Sequence, residues 1–72
     1  MQFVKPAWDI MNVLWNGDKP MNTDQIWQSL DGWYWTLVCI WLSVLKNQGA
    51  IKVVSGGFVP LLTREECRLK ND

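Results

Sequence analysis

The stretch WYWTLVCIWLSVLKNQG, from Trp33 to Gly49, decides how the chain is read. Between Asp31 and Lys46 it carries no charged residue. Its apolar residues nevertheless fall at helical spacing, which predicts a helix over 33–48 closed by Gly49. At about 100° per residue, Val38, Leu42 and Leu45 share one face, the stripe that a helix turns toward a core. Trp33, Leu37, Ile40, Trp41 and Val44 form a second cluster, centred about 125° further round. Thr36, Ser43, Lys46 and Asn47 take the remaining side, with Cys39 among them. Such a helix is apolar around more than half of its circumference, more than one core stripe requires.

Outward from this helix, the patterns are ordinary. On the C-terminal side, Ala50-Ile51-Lys52-Val53-Val54 and Phe58-Val59-Pro60 flank Ser55-Gly56-Gly57, which predicts a β-hairpin turned at the glycines. Pro60 ends the second strand or sits at its edge. On the N-terminal side, Thr23 to Leu30 reads as a helix, with Thr23 as N-cap and Asp24 at the positive end of the dipole. Asp31-Gly32 ends it, and Trp27 either covers the core edge or extends the apolar surface. Pro6 to Trp15 reads as the first helix, with Pro6 suited to a first turn and Gly17 to its stop. After Thr63 the tail is charged. Thr63 and Glu66 have capping-box spacing, so the tail either forms a short helix or frays. The predicted fold class is mainly α: three helices, then a two-stranded hairpin, the order of a winged helix-turn-helix. Seventy-two residues form one domain, 1–72, with no room for a second.

Composition narrows the functions. Lys and Arg total 7 and Asp and Glu 7, so the basic excess usual for phosphate binding is missing. There is no histidine, no nucleophile motif and no glycine-rich phosphate loop, so an enzyme is not expected. Cys39 and Cys67 match no zinc spacing and read as reduced thiols. No cofactor or metal is expected. No stretch reaches the roughly 20 apolar residues of a membrane span, and no secretory leader is visible ahead of Lys5 and Pro6. A cytoplasmic protein that avoids the membrane is the expectation.

Three motifs together resemble the penicillinase-repressor (BlaI/MecI/CopY) family. They are Ala7-Trp8-Asp9-Ile10-Met11-Asn12-Val13-Leu14-Trp15; the set Thr36, Val38, Leu42-Ser43, Leu45 and Gly49; and Pro60-Leu61-Leu62-Thr63-Arg64-Glu65-Glu66. The resemblance spans nearly the whole chain. It implies a winged-helix DNA-binding domain of a dimeric transcriptional repressor, with the third helix reading DNA. The chain departs from that pattern where DNA would be met. Family members carry threonine at the positions of Leu37 and Ile40, arginine at that of Val44, and often lysine at that of Cys39. The wing is shorter and less basic, and the family's C-terminal dimerisation helices have no counterpart in these residues.

Both flanking motifs survive while one face of the third helix turns apolar. Engineering a binding surface onto a natural scaffold would leave that pattern. The expected function is therefore protein binding, with Trp33, Tyr34, Leu37, Ile40, Trp41 and Val44 as the surface. An exposed patch of tryptophan and branched aliphatics without charge has hot-spot composition. One alternative is a DNA-binding repressor domain holding phosphates through Lys46, Lys52 and Arg64. Another is a homo-oligomer that pairs the same apolar face with its own copy.

Overall fold

The computed structural model describes residues 4–70. Among them the chain runs α1 (Lys5–Asn16), α2 (Thr23–Ser29), α3 (Trp35–Asn47), β1 (Ile51–Val54), β2 (Gly57–Pro60) and α4 (Arg64–Lys70). Mainly helical structure with a two-stranded antiparallel hairpin is what the patterns predicted. The helix count is four, not three, because the tail closes its capping box. The Thr63 backbone N–H donates to Glu66 Oε1 at 2.9 Å, and the Glu66 N–H donates to Thr63 Oγ1 at 3.1 Å. Two otherwise orphaned donors are thereby satisfied, enough to start a short helix.

Two helix starts differ from expectation for the same kind of reason. The cap of α2 is Asn22, one residue before Thr23. Its Oδ1 accepts from the Gln25 N–H at 2.8 Å, while Gln25 Oε1 accepts from the Asn22 N–H at 2.9 Å. Only a cap at Asn22 places a glutamine at the third helical position, where it can return the bond. The third helix begins at Trp35 and not at Trp33. Its N-cap is Tyr34, which makes no side-chain capping bond. Neither Trp33 nor Tyr34 has a short oxygen-bearing side chain to cap the helix earlier. The first helix does stop at Gly17, but with φ −85, so no left-handed turn is involved.

The hairpin pairs Ile51 with Pro60 and Val54 with Gly57, leaving Ser55-Gly56 as a two-residue turn. Gly57 is fixed by a close approach. Its φ is +141, and a Cβ there would lie 2.3 Å from the carbonyl carbon of Met21. That approach lets the segment before α2 pair with β2. The Met21 N–H donates to Phe58 O at 3.2 Å, and the Phe58 N–H donates to Met21 O at 2.8 Å.

One core joins all of these elements. It holds Ala7, Ile10, Met11 and Leu14 of α1, Ile26 of α2, Val38, Leu42 and Leu45 of α3, then Ala50, Ile51 and Cys67. Trp15 ties α1 to the approach of α4, its indole Nε1 donating to Leu62 O at 2.8 Å. Cys39 is exposed on α3 and Cys67 buried in α4, and no disulfide joins them. Among the described residues no helix is long and apolar enough to cross a membrane.

Candidate functional site

The buried stripe of α3 is the one its spacing predicts: Val38, Leu42 and Leu45 are all buried. Its second apolar cluster is divided. Trp33 and Trp41 are half-buried and pack against the core, so their rings belong as much to the fold as to a surface. Val44 is half-buried as well. Tyr34, Leu37 and Ile40 face outward, at 80, 38 and 52% exposure. Leu37 is the most covered of the three, and α1, α2 and the hairpin gather instead on the stripe of Val38, Leu42 and Leu45. The exposed face therefore centres on Tyr34, Leu37 and Ile40, with Trp41 and Val44 along its inner border.

Two further aromatic residues are exposed, Trp27 at 37% and Trp35 at 44%, so Trp27 takes the second of its two expected roles and extends the apolar surface. Trp27 and Trp35 stand edge to face, with ring centroids 5.7 Å apart and planes at 86°. Such T-shaped pairs add to the stability of their contact beyond simple burial. The Trp27 indole also donates to Trp33 O at 2.8 Å, locking the α2–α3 turn. By helical spacing Trp35 lies on the side of Leu42 and Cys39, away from Leu37 and Ile40. The helix thus exposes apolar surface on both flanks of its core stripe. The available signal was the Asp31-Gly32 turn between the two tryptophans, since a tight turn brings the end of one helix against the start of the next.

Among the described residues, two of the basic side chains are already engaged. Arg64 is engaged with α1: its guanidinium lies over the Trp15 ring, 5.2 Å from the centroid. It also donates to Asn12 Oδ1 at 3.3 Å and Asn16 Oδ1 at 3.5 Å. Lys5 pairs with Asp9 at 3.1 Å, one turn along α1. Lys46 and Lys52 are exposed, on α3 and β1. Lys46 shares a cleft of about 190 Å³ with Thr23, Cys39, Ser43, Val53 and Phe58, floored by Leu42.

Neither protein-family models, nor curated proteins, nor solved structures give a match to this chain. The exposed face of α3 offers apolar contact without charge.

Proposed function

We propose that this chain is a winged helix-turn-helix domain of penicillinase-repressor type, and that it binds a partner protein through the outer face of α3. Three helices followed by a hairpin support the fold reading, as do the three motifs quoted above. The exposure of Tyr34, Leu37 and Ile40 on a helix without charge before Lys46 carries the functional one. Monomeric proteins rarely leave contiguous apolar patches larger than a few hundred Å² in water, and aromatic anchors at the centre of a patch supply most interface energy. Trp33 and Trp41, neighbours of the patch on the same helical side, pack against the core.

DNA reading is the weaker account. Specific guanine contacts need arginine or lysine in the first turns of the reading helix, and here those turns hold Trp35, Thr36, Leu37 and Val38. Arg64, the arginine available to the phosphate reading, is already bound to Trp15, Asn12 and Asn16. The test is sedimentation of the purified chain, alone and with a short duplex at low salt. A monomer that ignores DNA supports the protein-binding reading. A complex that dissolves as salt is added overturns it, because salt-sensitive association is the mark of phosphate contacts. A concentration-dependent dimer abolished by Ile40→Lys would assign the face to a second copy of the chain.

A further inference from the structure

The cleft between α3 and the hairpin lies apart from the proposed binding face. Its apolar lining is the buried Leu42, the half-buried Phe58 and Val53, which is 54% exposed. Its rim holds three polar donors, the hydroxyls of Thr23 and Ser43 and the ammonium of Lys46. None of the three has a side-chain hydrogen bond or ion pair among the described residues, whereas Ser29, Thr63, Lys5 and Arg64 all do. Among the described residues no carboxylate lines the cleft. Asp24, next to Thr23 in sequence, instead accepts from Gln28 at 3.4 Å along α2.

An apolar floor under a cation and two hydroxyl donors is complementary to a small apolar anion. Drug-sized ligands occupy pockets of about 300–1,000 Å³. At about 190 Å³ this cleft takes a single ring with one charged group. We infer that it is a binding site for a small aromatic monocarboxylate, whose ring lies on Leu42, Val53 and Phe58 and whose carboxylate accepts from Lys46 Nζ and the hydroxyls of Ser43 and Thr23. The site uses neither Leu37 nor Ile40, so it stands or falls independently of the partner-binding face.

Benzoate is the probe, titrated against the labelled chain at constant ionic strength and followed by amide chemical shifts, with benzamide as the neutral match of its shape. Saturable shifts are expected at Thr23, Ser43, Lys46 and Val53. Benzamide should bind about fivefold more weakly, the loss of one partly exposed charge pair. Lys46→Met keeps the apolar stem and should lower benzoate to the benzamide level. Cys39 is an internal reporter: it lines the cleft and is exposed, while Cys67 is buried. Benzoate should slow alkylation of Cys39 by iodoacetamide with the same saturation as the shifts. The inference fails if benzoate produces no saturable shift, if benzamide binds as tightly, or if the shifts fall on Tyr34, Leu37 and Ile40 instead.

Discussion

Leu45 and Ile40 sit on the same helix, are similar in size and hydrophobicity, and meet opposite fates. Leu45 is completely buried and Ile40 is 52% exposed. The same holds stripe against stripe, with Val38, Leu42 and Leu45 inside and Tyr34, Leu37 and Ile40 outside. Hydrophobicity therefore does not distinguish them. The difference is which face finds neighbours. Ile26, Ile10, Met11 and Ile51 close over the first stripe. Among the described residues no further element packs over the second, and a chain of this length buries only about 60% of its unfolded surface.

The largest expected effect tests the comparison itself. Leu45→Ala should cost about 2–5 kcal/mol of stability in urea unfolding, through lost burial and a cavity. Ile40→Ala should stay within about 0.5 kcal/mol, as surface substitutions do. Equal losses would mean that Ile40 is covered, and the outer face would cease to be a candidate surface.

The second test reads binding, once a partner is in hand. Leu37→Arg or Ile40→Lys should weaken association by about 2 kcal/mol or more, roughly thirtyfold, with the unfolding midpoint unchanged. Leu42→Ala should instead lower the midpoint. Calorimetry should show a negative heat-capacity change and little dependence on salt. A steep salt dependence would remove the distinction between a packing face and a binding face in favour of phosphate contact.

A third variant joins the two regions. Tyr34 caps α3 without a side-chain bond although it is the most exposed large apolar residue described. Tyr34→Asp should raise stability by about 1 kcal/mol, by supplying the missing cap and a negative charge at the positive end of the dipole. It should also weaken partner binding, because the exposed ring is lost. A gain in stability with unchanged binding would take Tyr34 out of the surface.

The smallest effect concerns the tryptophan pair. Trp27→Phe keeps an aromatic edge near Trp35 but removes the bond to Trp33 O, 2.8 Å long. It should cost about 0.5–1.5 kcal/mol, measured by thermal unfolding. No loss would mean that the α2–α3 turn is held by backbone alone.

Much of this molecule was legible in the chain. The core stripe of α3 followed from the spacing of Val38, Leu42 and Leu45, because a helix of fixed pitch must bring them together. The hairpin followed from two β-prone runs around Gly56-Gly57, and Thr63 with Glu66 contained the fourth helix as one of two options. The cap of α2 was misplaced by one residue because Asn22 and Thr23 are both good caps, and only the bond returned by Gln25 chooses between them.

By itself, then, the sequence determined the helices, the hairpin, the core stripe and the absence of charge on α3, since all of these depend on neighbours near in the chain. Tertiary structure alone decided the rest. It placed Trp33 and Trp41 against the core, left Ile40 in water, set Trp27 on Trp35, drew Arg64 onto Trp15, and opened the cleft beside Lys46. The reason is physical. Whether an apolar side chain is buried depends on which distant segments arrive to cover it, and helical periodicity records only the face on which it waits.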